Sequence, residues 1–343
     1  MSIRAKLVAV VAVTLVVLIG VLMGVLGQVM TAGFARVEGD DTRKNVTRVL
    51  DAIDADLRGM ENTVFTWTQW DPAYRFMEDH NAQFLAENVS STLYTGMKID
   101  FCVFVDGLGK LAYAGGYDAS MGREVAVPPE LLSTIADPAA KMLANADPTR
   151  AVRGIAMVGS DPMLMVAAPV TNTAGTAPAR GHIVFVRRLN DAEVGRISET
   201  THLKCAVTPS TARIGSIVVQ VRDESVIQGV TDISDLRGVP ILRLTVDIPR
   251  EIDRQARQTL QLLLTSILII GVLFGVVVYV VITRWVLRRV LLLSRQVSEV
   301  TETLDFSRRV EVAGNDEISA LGRSVNGMIC AVSEVLSIHG QDR

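Results

Sequence analysis

Two long stretches of the chain contain no charged residue, and they divide the sequence into its parts. One lies between Lys6 and Arg36, and the other lies between Arg257 and Arg284. Each stretch exceeds the roughly 20 apolar residues that a helix needs to cross a hydrocarbon core about 30 Å thick. The pattern therefore predicts two membrane-spanning helices, and it excludes a purely soluble protein.

Basic residues beside these stretches predict their orientation. Arg4 and Lys6 precede the first span, and Arg284, Arg288 and Arg289 follow the second. Because cytoplasmic loops are enriched in Lys and Arg, we expect both termini in the cytoplasm and the chain in the inner (cell) membrane. An uncleaved anchor is favoured over a cleaved signal peptide, whose apolar region is only about 7–15 residues long. The predicted parts are a cytoplasmic start (1–6), a first span (7–30), an extracytoplasmic domain (31–257), a second span (258–283), a cytoplasmic bundle (284–336) and a tail (337–343).

The extracytoplasmic part has the pattern of an α+β domain. Its first apolar residues recur at spacings of three and four, from Val46 to Met60, which predicts a helix continuing out of the first span. Asp71 before Pro72 predicts a second helix, from Pro72 into the 80s, with Asp71 as its N-cap. Later apolar runs predict antiparallel strands, and Pro249 restarts a helix that enters the second span. The predicted strands are residues 101–105 and 110–113 as a hairpin, then 162–170 with 182–187, then 214–221 and 241–246.

Apolar residues in heptad register follow the second span. A helix with one apolar seam cannot bury that seam alone, so the pattern predicts a parallel four-helix bundle made by two copies of the chain. Phe306, Val310 and Val312 of the connector are expected to dock along it, and Asp316 and Glu317 are expected to open its second helix. The seam residues are Val286, Val290, Leu293, Val297, Val300 and Leu304, then Ile318, Leu321, Val325, Met328, Val332 and Val335.

Residues 284–336 resemble a HAMP domain, the linker of transmembrane receptors. The resemblance rests on the two heptad helices, the connector sequence DFSRRV, the Asp316-Glu317-Ile318 start and Asn326-Gly327-Met328. One departure is the missing proline just after the membrane exit, where Arg289-Val290 stand. The resemblance implies that signal relay passes through Val290, Val297, Phe306, Asp316, Glu317, Asn326 and Met328.

The extracytoplasmic part resembles a CHASE domain of type 4. The matching sequences are WTQWDPAY, CVFVDGLGKL, GHIVFVRRL, LRGVP and VDIPR, which are distributed from Trp67 to Arg250. The resemblance implies an antiparallel-sheet sensor related to Cache and PAS domains, with a long N-terminal helix. It identifies no ligand.

Trp67, Trp70, Asp71 and Tyr74 are candidate ligand-binding residues, with indoles as walls and a carboxylate as anchor. The alternative is that the aromatic rings fix the long helix on the sheet. Arg187 either clamps an anionic ligand or is an exposed charge at a strand end.

The rest of the composition mainly excludes classes of function and kinds of site. A net charge of −3 gives no basic footprint for nucleic acid. Cys102 and Cys205 either form a disulfide or are free thiols, and Cys330 is expected to pack in the bundle. The four histidines have no metal-ligand spacing, and no catalytic constellation appears. We therefore expect no metal, no cofactor and no enzyme activity.

Together these features predict a dimeric two-span receptor. It senses a small-molecule or periplasmic cue and relays it to an output absent from this chain, through a signalling partner or a missing output domain. Two alternatives stay open. One is an output-free protein that modulates full-length receptors by mixed dimerisation, and the other is a membrane-anchored extracytoplasmic hydrolase.

Overall fold

The computed structural model describes residues 3–145, 147, 149–303, 305, 308–311 and 314–341. It separates into two units. One is the sensor unit, Phe34–Arg254, and the other is the membrane and linker unit, which combines Met1–Gly33 with Gln255–Arg343.

A single helix begins in the first apolar stretch and continues into the sensor unit. This helix, α1, runs over Ile3–Thr68. Val46, Val49 and Val64 are fully buried on one side of it, as the spacing of apolar residues predicts. The helices that follow in the sensor unit are α2 (Asp71–Asp79), α3 (Ala82–Asn88), α4 (Ser91–Met97), α5 (Pro129–Ala136) and α6 (Asp191–Thr201), with a 3-10 turn at Pro138–Ala140.

The predicted second helix is shorter than expected. It ends at Asp79 because His80 adopts a left-handed conformation with φ of 51°. Asn81 then begins α3, and its side chain accepts a hydrogen bond from the Gln83 amide. Short polar side chains cap free N–H groups in this way, so the chain makes two short helices where one was predicted.

A six-stranded antiparallel sheet forms the centre of the sensor unit. Its order is β3-β2-β1-β6-β5-β4. Alternate residues of β6 face opposite sides: Phe185 joins the core that contains α1, and Val184 joins the core that contains Leu131 of α5. Both faces are therefore covered within one chain. The strands are β1 (Phe101–Asp106), β2 (Leu111–Asp118), β3 (Arg123–Val125), β4 (Val152–Val158), β5 (Asp161–Pro169) and β6 (Gly181–Arg188).

A second, four-stranded sheet lies later in the chain, with the order β7-β10-β9-β8. Buried and partly exposed residues alternate along β10, as its sequence predicts. Residues 214–221 were predicted as one strand, but only the last four residues, β8, pair with β9. Gly229 of β9 admits α1 closely, because a Cβ there would lie 2.3 Å from Val46 Cγ2. The strands are β7 (Lys204–Pro209), β8 (Val218–Val221), β9 (Val226–Ser234) and β10 (Pro240–Pro249).

The second apolar stretch and the linker are helical. Helix α7 covers Glu251–Val281, a π-helical segment covers Ile282–Leu287, and α8 follows over Arg288–Thr303. Helical geometry therefore continues without a break from α7 through the π-helical segment into α8. Helix α9 covers Glu317–Gln341 and starts at the predicted position.

Candidate functional site

The WTQWDPAY sequence forms the junction between α1 and α2. Trp67 and Trp70 meet edge to face, with ring centroids 5.7 Å apart. Trp67 also lies against Phe185 of β6, and Trp70 lies against Phe84 of α3. Such aromatic pairs contribute roughly 0.5–1.5 kcal/mol beyond the area they bury. The two indoles therefore fix the end of α1 against the central sheet.

Asp71 holds the loop between β5 and β6 against this junction. The Asp71 carboxylate accepts a hydrogen bond from the Thr173 amide at 2.9 Å, and the Asp71 amide donates to the Thr173 hydroxyl at 3.1 Å. The prediction that Asp71 is an N-cap is wrong. Trp70 occupies the cap position and Asp71 is the first helical residue, because its carboxylate is directed to the loop.

Tyr74 lies beside the other end of the same loop. The Arg180 guanidinium stands over its ring, 4.0 Å from the centroid, and also pairs with Glu78 at 2.6 Å. A cation over an aromatic face contributes about 0.5–2 kcal/mol. The tertiary structure thus brings Trp67, Trp70, Asp71 and Tyr74 to one region, and their ligand-binding role stays a prediction.

Arg187 lies elsewhere, at the far end of β6, in a network of charged side chains. It pairs with Glu193 of α6 at 3.1 Å and donates to the Lys98 carbonyl. Arg196 joins Asp56 of α1 to the same Glu193. Burial raises the pKa of Glu193, but hydrogen bonds from Arg196 and the charges of both arginines outweigh it, and the net pKa is lowered.

This network has a consequence for the predicted role of Arg187. Its side chain is only 13% exposed, so the interpretation as an exposed strand-end charge is wrong. Asp56 and Glu193 neutralise it within the chain, which leaves little free charge for an anionic ligand. The sequence offered no signal for this arrangement, because its members come from three distant segments.

A polar cavity of about 310 Å³ lies between α5, β4 and the turn that joins β9 to β10. Arg237 of the turn bridges Asp235 at 2.9 Å and Asp137 at 3.7 Å. Leu236 also lines the cavity, and its methyl carbon packs on Gly154 of β4, where a Cβ would lie 2.5 Å away. The lining contains none of the candidate residues taken from the sequence.

The cysteines of the sensor unit are free thiols. Cys102 lies in β1 of the six-stranded sheet, and Cys205 lies in β7 of the other sheet. Complete burial raises the pKa of the Cys102 thiol well above its usual value. The Cys205 sulfur lies 3.0 Å from the Ser198 hydroxyl. A disulfide between them is therefore absent from this structure, and Cys330 is exposed in the single chain.

In the linker, Asp316 caps α9. Its carboxylate accepts hydrogen bonds from the Ser319 hydroxyl at 2.7 Å and the Ser319 amide at 2.9 Å. It also pairs with Arg289 of α8. The Ser319 hydroxyl, then the amide and Arg289, lower the pKa of Asp316 to about 2. One side chain thus caps a helix and joins it to its neighbour.

Asn326 fixes the connector onto α9. Its side-chain amide donates to the Val310 carbonyl at 2.9 Å, and its oxygen accepts from the Val310 amide at 2.8 Å. Val310 is therefore held against α8 and α9, where it packs with Val300 and Ile329 in a small buried cluster. Val310 thus packs on the linker helices of one chain as predicted, whereas Phe306 and Val312 lie outside the described residues.

Other seam residues that the structure describes are only partly covered by the single chain. Val290 is 44% exposed and Met328 is 69% exposed. Val297 is partly buried against the Val300 cluster. Among the residues that the structure describes, no group of His, Cys, Asp and Glu has the arrangement of a metal site.

Comparison with known proteins identifies both parts of the chain. Residues 52–208 match the CHASE4 domain, and residues 281–329 match the HAMP domain. Two helices of the structure are long and apolar enough to cross a membrane, and they flank the sensor. Fold and matched domains together define a membrane sensory receptor. Its sensor is a CHASE4 domain and its linker is a HAMP domain.

Other similarities are more distant. The methanogenesis regulatory histidine kinase FilI of Methanothrix harundinacea is 22% identical over 287 residues, which cover 81% of this chain and 32% of that protein. The chain thus spans about a third of that relative's length. The periplasmic domain of Vibrio cholerae LuxQ aligns with a TM-score of 0.43 and 14% identity, over 61% of this chain and 99% of that domain. The sensory domain of the Campylobacter jejuni chemoreceptor Tlp1 aligns with a TM-score of 0.33 and 9% identity, over 64% and 96%.

Proposed function

We propose that two copies of this chain form a receptor that detects an extracytoplasmic cue and relays it through the HAMP linker to a cytoplasmic signalling partner or output domain. Both termini lie in the cytoplasm of an inner-membrane protein, and residues 31–257 lie outside. The chain itself supplies sensing and relay, with no catalytic step.

The observation that carries this proposal is the incomplete burial of the linker seam. In the sensor unit, both faces of the central sheet are covered by helices of the same chain. In the linker, Val290 and Met328 keep large exposed fractions on helices with heptad spacing. A second copy buries such a seam in a parallel bundle, and a bundle with alternative packings can pass on a conformational change.

The orientation is tested with protease added to intact cells. Cleavage is expected within the sensor unit, while an epitope tag after Arg343 survives. Loss of the tag before disruption of the membrane contradicts the proposed orientation.

Cue binding is tested on the full chain in lipid nanodiscs by thermal-shift screening of small molecules and periplasmic extracts. A bound cue is expected to raise the melting temperature of the sensor unit, because a ligand that binds only the folded state stabilises it. Trp67→Phe and Tyr74→Phe variants then test the predicted ligand contacts. If both respond to the cue as the parent chain does, the predicted binding role of these residues is wrong.

A further inference from the structure

The two membrane-spanning helices make a close contact through glycine. Gly271 and Gly275 stand one turn apart on α7. A Cβ at Gly271 would lie 2.3 Å from Ile19 Cδ1, and a Cβ at Gly275 would lie 2.9 Å from Leu15 Cδ2. Two large side chains of α1 are therefore seated where α7 has none. We call these four residues the glycine seam.

The sizes of facing residues reverse one turn further along α7. Tyr279 and Ala12 line the same apolar cavity of about 290 Å³, beside Leu15 and Gly275. Here the large residue is on α7 and the small one is on α1. A shift of α7 by one turn in one direction brings Tyr279 level with Leu15. A shift in the other direction brings Ile267 level with Ile19.

This reversal fixes the register of the pair. Lipid tails are as apolar as side chains, so helices in a bilayer associate through close packing, for which small residues are needed. Either one-turn shift sets two bulky residues against each other and removes that packing. The glycine seam is thus complementary in one register only.

An ion pair joins the same two helices outside the apolar stretches. The Arg250 guanidinium, just before α7, donates from Nε and Nη2 to the two Glu38 carboxylate oxygens of α1, each at 3.0 Å. The side chains are 12% and 7% exposed, and Arg250 also pairs with Asp253 at 3.2 Å. Bidentate pairs of this kind are directional and strong. We call this pair the Glu38–Arg250 clasp.

We infer that the glycine seam and the Glu38–Arg250 clasp hold the two membrane-spanning helices of one subunit in a single register. The two helices move as a pair. A cue then crosses the membrane as a movement of this pair against the second copy, and α7 does not slide along its own α1. The last statement rests on the proposed receptor function, whereas the fixed register does not.

Cysteine crosslinking of the full chain in native membranes tests the register. Leu15→Cys with Gly275→Cys, and Ile19→Cys with Gly271→Cys, are the in-register pairs. Leu15→Cys with Gly271→Cys, and Ile19→Cys with Gly275→Cys, are offset by one turn and use the same four substitutions. Before cleavage, a crosslink within one chain leaves the protein at monomer size on a non-reducing gel, whereas a crosslink between copies gives a dimer. Cleavage at a protease site introduced after Gly215 then shows that the two halves of the monomer-size species are joined.

In-register pairs are expected to crosslink at least tenfold faster than offset pairs. Equal rates, or faster offset crosslinking, overturn the inference. The parent chain with its native cysteines gives the background rate.

The contributions of the Glu38–Arg250 clasp and of the glycine seam are tested separately, each with a matched control variant. Arg250→Ala is expected to raise offset crosslinking at least threefold, whereas Arg222→Ala, which breaks an exposed pair with Asp247, leaves it unchanged. Combining Glu38→Arg with Arg250→Glu is expected to lower offset crosslinking again, but not to the parent rate, because the new carboxylate stands beside Asp253. If Arg250→Ala leaves offset crosslinking at the parent level, the clasp does not fix the register.

A second control tests the seam itself. Gly271→Leu is expected to slow the Leu15–Gly275 crosslink at least fivefold. Gly24→Leu is expected to leave it unchanged, because nothing lies within 4 Å of a Cβ at that glycine of α1. The reverse result contradicts the seam. A failure of these register tests leaves the cue-binding measurement intact, so the two proposals are separable.

Discussion

The sensor unit and the HAMP linker differ in how completely a single chain buries their apolar side chains. In the sensor unit, strands such as β5 are buried almost throughout, between α1 on one side and α5 on the other. In the linker, three residues form the buried cluster, and Met328 faces outward. The sensor has a complete core within one chain, whereas the linker leaves apolar residues of its seam exposed. In the proposed dimer, only the linker's packing would depend on the second copy, which suits a relay element.

The largest effect is expected from the sensor core. Phe185→Ala removes a fully buried ring that packs against Trp67, and large-to-small changes of this kind cost about 3–5 kcal/mol. The free energy of unfolding, measured by denaturant titration of the full chain in detergent, is expected to fall by that amount. A matched change at exposed Met328 to Ala is expected to leave the sensor transition unchanged. Equal losses from both variants contradict the comparison.

The next effect in size is expected on the association of two copies along the linker seam. Val297→Glu or Met328→Glu puts a charge where the second copy is proposed to pack, and burial of an unpaired charge is unfavourable. Crosslinking between copies along both linker helices is expected to fall at least tenfold, while the sensor melts as before. Unchanged crosslinking along both helices counts against the four-helix bundle.

A smaller, local effect is expected at the connector. Asn326→Ala removes both hydrogen bonds to the Val310 backbone, and a buried backbone group left without a partner costs about 1–3 kcal/mol. Faster amide hydrogen exchange is expected around Val310 and not in the sensor sheets. Exchange that stays at the parent rate shows that the connector is held by Val310 packing alone.

The smallest effect concerns pH. The folded-state pKa of Asp316 is lowered to about 2. Its contribution to the stability of the linker is therefore present above the unfolded pKa of about 3.9 and is lost as the pH falls toward 2. Between pH 5 and 8 it gives no pH dependence. Asp316→Asn keeps a capping side chain and is expected to remove the acid-dependent part of linker unfolding. Acid sensitivity identical to the parent chain assigns that dependence to other groups.

Local patterns in the sequence predicted the helices and strands in which apolar residues recur at a regular spacing. Charge-free stretches, 3.6-residue spacing in α1, strict alternation in β10 and heptads in the linker each follow from how neighbouring residues face one side of an element. The strands β3, β4, β7 and β9 were missed, and Asp71 was assigned to the wrong role. Their conformations depend on partners distant in the chain, such as Thr173 for Asp71.

The sequence by itself therefore indicated the class of protein, through its two charge-free stretches, the regular spacing of apolar residues in its helices, and the resemblance of its motifs to CHASE and HAMP domains. Only the tertiary structure decided which side chains meet. Arg187 with Glu193, Glu38 with Arg250, and Gly271 with Ile19 lie from 6 to 252 residues apart. Their pairing is set by the packing of whole helices and sheets, and no local pattern encodes it.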